Sequence, residues 1–374
     1  MAKAVYVGVG SKARKMKKAY IGIGGKARKV KKMYIGVGGK ARLCYSAELE
    51  KVGMATALST TRYDMRAATV GKYALFAGGL ARKSSFGYSV SSSVDAYNTS
   101  LTKSTPTELS CKRCGHAAAS VGGYALFAGG ASSYNLLGIY ENLVSAVDAY
   151  DASLTRSAAH IIGATVAIGG AAVGNYALFA GGTVYSQINK DNVTSDVLAY
   201  DPSLTFTTAP LLSVARANVK GASAGNYALF AGGRAGSFCT TVDAYNASLT
   251  RTTATALSST KNNSAAATVG NHAIFVGNTA SADIYDASLT KTSAAILSTA
   301  RTGLAATTVG DYAIFSGGGV ADFCDASLTR SSIGTSMTGY DMGAATIGDY
   351  ALFAGGQSGE NSGTAYDSVE VYTA

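Results

Sequence analysis

Apolar positions in this chain come in short runs closed by glycine, never in helical stripes. The run YALFA followed by Gly-Gly starts at Tyr73 and returns at Tyr124, Tyr176, Tyr227 and Tyr350. HAIFVGN from His272 and YAIFSGG from Tyr312 are variant copies. The seven starts lie 51, 52, 51, 45, 40 and 38 residues apart. Runs this short, rich in aromatic residues and bounded by Gly, predict β-strands. Each has the same neighbours. A small-residue strand such as 66–70 (RAATV) precedes it across a Gly-containing turn. A strand reading VDAY follows at 94–97, 147–150 and 242–245, with VLAY at 197–200. A Ser-Leu-Thr turn then begins at Ser100, Ser153, Ser203, Ser248, Ser288 and Ser327. A fourth strand runs into a junction of the form Leu-Ser-x-x-Arg/Lys at 58–62, 109–113, 212–216, 257–261 and 297–301.

Four strands repeated at a period of about 40–50 residues predict propeller blades. The seventh unit shows only three strands. Its fourth appears at the other end of the chain, where residues 54–62 (MATALSTTR) match 253–261 (TATALSSTK). The fold class read from this pattern is all-β, a seven-bladed β-propeller sealed by an N-terminal strand. Such a seal removes the exposed sheet edges.

Residues 1–45 follow a different rule, a tandem repeat of period 14 marked by Tyr6, Tyr20 and Tyr34. Each unit pairs an apolar half (YIGVG-like) with a basic half (KARK-like), which predicts short strands joined by tight turns. Charge separates this segment from the rest. Residues 1–43 hold 13 Lys and Arg and no acid, whereas 44–374 carry 19 bases and 22 acids. The +10 net charge thus belongs to the N-terminal segment, and any nucleic-acid contact is confined there. Thirteen uncompensated charges and isolated hairpins do not make a core. The segment is expected to order against copies of itself, an acidic partner or a scaffold, with a flexible basic tail as the alternative. Tyr6, Tyr20, Tyr34, Lys15, Lys29, Arg28 and Arg42 are the candidate docking residues. The domain division expected is 1–45 for the repeats and 46–374 for the propeller.

Composition closes several classes. There are three Pro among 374 residues and no Gly-X-Y period, which excludes collagen. No apolar run approaches the ~20 residues of a membrane-spanning helix, and no signal-peptide pattern is read at the N-terminus. Five scattered Cys argue against a disulfide framework and for reduced thiols. Cys111, Cys114 and His116 offer half of a zinc pattern, but no second Cys-x-x-Cys completes it. His272 stands where sister units have Tyr, a packing position. No nucleophile–base order, phosphate loop or carboxylate cluster stands out. The expectation is a non-enzyme without cofactor or metal.

The junction Arg, the Tyr-x-x-Phe-x-Gly-Gly strand and the Val-Asp-x-Tyr strand together resemble the kelch repeat family over about residues 52–374. The resemblance implies the propeller. This chain departs from it by having no Trp; the Leu of each Ser-Leu-Thr is placed to fill part of that volume. The third and fifth units are the degenerate ones.

Loops between the second and third strands are long in four units: 80–93, 131–146, 183–196 and 357–368. Two to five residues would join such strands. They carry Phe86, Tyr88, Tyr134, Asn135, Tyr140, Asn142, Tyr185, Gln187, Asn189, Asn361 and Tyr366, aromatic plates beside amides and hydroxyls that suit a glycan or a protein epitope; ordinary loop packing is the alternative. Tyr88, Tyr140 and Tyr185 are the leading candidates. Blade topology puts these loops and the blade junctions on one face, and residues 44–53 enter from the other.

The N-terminal YIGVGGKARKVKK-type units also resemble repeats at the start of tail proteins in phages and phage-like particles of Gram-positive bacteria. That resemblance implies a particle-mounted attachment protein made in the bacterial cytoplasm without a signal peptide and located in a virion or phage-like tail or baseplate. Its partners would be other tail proteins through residues 1–45, a surface glycan or protein through the loops, and other copies of itself. The alternative is a cytoplasmic kelch adaptor with a basic tail for nucleic acid or an acidic partner.

Overall fold

A computed structural model describes residues 6–9, 12–15, 19–23, 26–30, 32–37, 40–46, 48–84, 87–160, 162–184, 192–261, 265–359 and 363–374. Every regular element among them is a β-strand. Seven four-stranded antiparallel sheets form a β-propeller with the kelch-type order of parts. In the first blade Arg66–Val70, Tyr73–Ala77, Val94–Asn98 and Lys103–Ser104 run from the centre of the ring outward. The innermost strands of successive blades touch, and the seventh, Gly343–Ile347, packs back on Arg66–Val70.

The closing strand is Glu50–Met54, hydrogen-bonded to Val369–Thr373. It lies slightly N-terminal of the matched block 54–62, most of which is the extended junction into the first blade. Glu370 fixes this closure. It accepts from the Lys51 ammonium at 2.5 Å, the Ser336 amide at 2.9 Å, the Tyr372 hydroxyl at 2.7 Å and the Thr335 hydroxyl.

The Gly-Gly that ends the second strand motif in six of the seven units has a mechanical reason. Gly78, Gly129, Gly181 and Gly355 all have φ near +65°. A Cβ there would come within 2.5 Å of the Arg113 carbonyl at Gly78 and 2.2 Å of the Arg216 carbonyl at Gly181. Only glycine lets the next junction lie this close. The Ser-Leu-Thr turns run against propensity instead: Leu101, Leu154, Leu204, Leu249, Leu289 and Leu328 sit at φ of +58° to +65°. The preceding Asn or Asp offsets that strain, as Asp151 does by accepting from the amides of Ser153 and Thr155. Leu101, Leu154, Leu249, Leu289 and Leu328 pack on the apolar clusters between blades.

The junction arginines are buried ion-pair donors. Arg62 meets Asp95 at 2.6 Å, Arg113 meets Asp148 at 2.5 Å, Arg216 meets Asp243 at 2.9 Å and Arg301 meets Asp322 at 2.6 Å. Lys261 takes the role with Asp283 at 3.5 Å. Each aspartate also accepts from the junction serine, as Asp148 does from the Ser110 amide and hydroxyl at 3.0 Å. A cation on the fourth strand completes each set: Lys103, Arg156, Arg251, Lys291 and Arg330. In the third blade all three positions change together, to Thr165, Leu198 and Phe206.

Inside the channel a second belt crosses the seams. The Thr69 hydroxyl donates to the Thr346 carbonyl, Ser120 to Thr69, Ser223 to Ala172, Thr268 to Ser223, Thr308 to Thr268 and Thr346 to Thr308. The one position without a hydroxyl is Ala172, again in the third blade.

Residues 6–46 form three β-hairpins. Tyr6–Val9 pairs with Lys12–Lys15 and Tyr20–Ile23 with Lys26–Lys29 in the same register, Tyr6 opposite Lys15 and Tyr20 opposite Lys29. Lys32–Val37 pairs with Lys40–Ser46 through one register shift. The backbones of Tyr6, Tyr20, Tyr34, Lys15, Lys29, Arg28 and Arg42 therefore lie in these strands; their side chains lie outside the described residues.

Closure should be acid-labile. Burial raises the Glu370 pKa, but the bonds from Lys51, Thr335, the Ser336 amide and Tyr372 outweigh it and hold the pKa below the ordinary range. A carboxylate with a depressed folded pKa stabilises the fold above its unfolded value of about 4.3 and loses that contribution as pH falls through the folded one. Glu370→Gln should lower the melting temperature at pH 7. The gap to wild type should shrink as pH drops below about 4. Melting curves from pH 7 to pH 3 check this; a constant gap would show that Glu370 does not clamp the seam through its charge.

Candidate functional site

The long loops are additional β-hairpins raised on one face. Leu80–Ser84 pairs with Gly87–Val90, and Ala131–Tyr134 with Tyr140–Leu143. Single bridges shape the third and seventh loops, Thr183 with Val193 and Gln357 with Ala365. The fourth blade adds a short hairpin, Arg234–Ala235 with Ser237–Phe238. Junction residues pair with the hairpin bases, Tyr63 with Leu80, Cys114 with Ala131 and Tyr340 with Gln357. Loops and junctions thus share a face, the arrangement expected from blade topology.

A cavity of about 260 Å³ opens on this face at the mouth of the channel. One wall is aromatic. Tyr88 packs edge-on to Tyr134 at 5.0 Å between ring centroids, and Tyr134 lies 5.0 Å from Tyr140. Charged and polar groups from Asp64, Arg66, Asn218, Lys220, Asp341 and Gln357 line the rest, together with Leu80, Leu304 and Met342.

Two backbone positions place these groups. In six blades the residue two before the innermost strand has a left-handed conformation: Asp64, Gly115, Ala167, Asn218, Gly303 and Asp341, with φ of +51° to +62°. Their backbones link around the mouth. The Asp64 amide donates to the Asp341 carbonyl at 3.0 Å, Asp341 to Gly303 at 2.8 Å, Ala167 to Gly115 at 2.8 Å and Asn218 to Ala167 at 2.8 Å. The second position is the first residue of the innermost strand. It is Ala or Gly in five blades, at Ala117, Gly169, Ala265, Ala305 and Gly343, but Arg66 in the first and Lys220 in the fourth.

Asp64 is fully engaged, 2.9 Å from the Arg66 guanidinium and accepting from the Tyr140 hydroxyl at 3.0 Å. Asp341 accepts from the Gln357 amide at 3.1 Å. Burial, then the Asp64 charge, pushes the Asp341 carboxyl up to about 6. Burial, then the Arg66 charge, pulls the Lys220 ammonium down to about 8. At neutral pH the mouth thus presents opposed charges beside tyrosine faces, a combination that binds polar ligands through hydroxyl and ionic contacts.

Tyr88, Tyr134 and Tyr140 come together at this cavity. Asn142 lies away from it, exposed, with its side chain bonded to Ser133 at 2.9 Å. Asn135 holds its own hairpin by bonding Glu141 at 2.7 Å. Tyr366 is half-buried and bonds through its backbone to Arg62 and Gly356. Phe86, Tyr185, Gln187, Asn189 and Asn361 lie outside the described residues. Asp64, Arg66, Lys220 and Asp341 lie outside the long loops, and Gln357, the first residue of the loop 357–368, is not among the candidates named from sequence. The signal for Arg66 and Lys220 was a charge at a register position that is otherwise Ala or Gly.

Cys114 and His116 are buried behind this wall. His116 occupies the place of Met65, Ile168, Val219 and Met342, its ring 6.0 Å from Phe127. Burial and then the charges of Arg66, Arg113 and Arg62 hold it neutral. Among the described residues no group of three or more His, Cys, Asp or Glu is placed to hold a metal ion. No protein-family model matches the chain, and no curated protein matches it.

Tyr140 ties a loop to the ring, so its two truncations should differ. Tyr140→Phe loses one hydrogen bond to an ionised partner, about 1.5–3 kcal/mol. Tyr140→Ala also leaves a cavity and should cost about 3–5 kcal/mol. Denaturant titration of both variants separates them; equal, small losses would mean that the hairpin stands without this contact.

Proposed function

We propose that this chain is a binding protein of a phage or phage-like tail particle, with no catalytic role. Residues 1–45 dock it to the particle, and the propeller's loop face binds a glycan on the host surface. The observation that carries the reading is the mouth cavity: a tyrosine wall facing charged and amide groups, raised on hairpins longer than strand connection requires. Flat aromatic faces beside hydrogen-bonding groups match the alternating apolar and hydroxyl-bearing faces of a sugar ring. The docking half is supported by the repeated hairpin register, Tyr6 opposite Lys15 and Tyr20 opposite Lys29, which presents one basic unit several times, and by the resemblance of these units to tail-protein repeats.

Two variants test the two halves. Tyr88→Ala should weaken binding to host cells about tenfold or more while costing less stability than Tyr140→Ala, because the half-buried Tyr88 ring packs on the Tyr63–Leu80 cluster and on the edge of Tyr134 but lacks the Tyr140 tie to Asp64. Removing residues 1–43 should leave cell binding intact and abolish incorporation into particles. Unchanged cell binding by Tyr88→Ala would contradict the recognition half; normal incorporation of the truncated chain would contradict the docking half.

A further inference from the structure

We propose that the mouth cavity selects a sugar bearing an anionic substituent, a carboxylate or a phosphate, seated between Lys220 and Arg66 with the sugar ring against the Tyr88–Tyr134–Tyr140 wall. This rests on the glycan-binding reading above and narrows it to one ligand class.

Five of the seven innermost strands begin with Ala or Gly; only Arg66 and Lys220 bring a long cation into the channel mouth. Arg66 is neutralised by Asp64 at 2.9 Å. The Lys220 ammonium has no hydrogen bond or ion pair among the described residues, although Arg66, Asp341 and Asp64 all act on it through space. The buried acids of the seams all have close cationic partners, so an unpartnered ammonium is out of character for this molecule. Stripping water from an ammonium without supplying a counter-charge is unfavourable. Its pKa of about 8 still leaves it largely protonated at neutral pH. A ligand anion is the group that would complete it.

Geometry narrows the ligand further. Arg66 keeps guanidinium donors beyond its contact with Asp64, and a planar fork suits a carboxylate or phosphate. Asp341, from the seventh blade, and Asn218, from the fourth, supply an acceptor and an amide for ring hydroxyls. The cavity volume of about 260 Å³ suits a sugar ring with one substituent and leaves little room for a folded protein segment. A free anion would satisfy Lys220 but would leave the tyrosine wall unused.

Calorimetric titration of the full chain tests this with four probes: glucuronate, glucose 6-phosphate, glucose and inorganic phosphate. Either acidic sugar, or both, should bind at least about tenfold tighter than glucose and than inorganic phosphate, a difference of about 1.4 kcal/mol. Which of the two binds identifies the anion. Lys220→Met should erase the preference without lowering the melting temperature, since it removes an unfavourably placed charge, and Lys220→Arg should retain most of it. Equal binding of glucose and the acidic sugars would overturn the anionic-sugar proposal and leave glycan binding standing. Phosphate binding as tightly as glucose 6-phosphate would reduce the site to an anion pocket and overturn it as well. If no probe binds and Tyr88→Ala still attaches to cells normally, both this proposal and the glycan reading fail. Should Lys220→Met not fold, loss of the wild-type preference at high salt replaces it, and a salt-independent preference counts against the proposal.

Discussion

The ring depends on a buried carboxylate in the third strand of each blade but one. Asp95, Asp148, Asp243, Asp283, Asp322 and Glu370 are completely or almost completely buried. In five of these six blades the acid reaches across to the junction that arrives from the preceding blade, binding its serine and its Arg or Lys. The same arginine turns its carbonyl the other way, as Arg113 does toward the Gly79 amide at 2.9 Å. One residue thus bonds the sheet before it and the sheet after it. Tyrosines of the same strand repeat the tie, with Tyr97 donating to the Thr56 carbonyl at 2.7 Å and Tyr150 to Thr107 at 2.8 Å. A blade is a twisted four-stranded sheet with two apolar faces, and apolar packing sets no unique register between sheets. These directional contacts do.

The third blade is built without that constraint. Thr165, Leu198 and Phe206 replace the whole ionic set, and Phe206 stacks on His160 at 4.5 Å. Loss of one member would leave a buried charge alone; loss of all three leaves an apolar seam. The blade keeps its tyrosine tie, Tyr200 to the His160 carbonyl at 2.7 Å. Ala172 also omits the hydroxyl that would bond across the same seam. The seam between the second and third blades therefore has the fewest polar ties among the described seams. It adjoins the hairpin that carries Tyr134 and Tyr140, so the least polar seam of the ring and the aromatic wall of the cavity are neighbours.

Repetition made the fold legible. Seven copies of one strand motif average out local ambiguity, and the match between 54–62 and 253–261 revealed closure within a few residues. The junction arginines and VDAY aspartates were visible as motifs, but their partnership was not, since they lie about 20 to 35 residues apart and only the blade geometry joins them. Tyr88, Tyr134 and Tyr140 are legible in the sequence because they sit in loops longer than strand connection requires. Arg66 and Lys220 are single departures at a strand position that is otherwise Ala or Gly, and Asp64 and Asp341 occupy a turn position whose residue varies from blade to blade, so none of the four stands out as a motif. Departures of that kind become readable once repeats are aligned by strand register rather than by motif.

The stability of two second-blade variants tests the sealed seams most directly. Asp148→Ala strands two arginines, Arg113 completely buried and Arg156 partly so, and should cost about 3–5 kcal/mol. Giving the second blade the third blade's set, Arg113→Thr, Asp148→Leu and Arg156→Phe together, should bring stability back to within about 1–2 kcal/mol of wild type. A single change costing less than about 1 kcal/mol, or a triple change as damaging as the single one, would contradict the view that these ion sets act as units holding blade to blade.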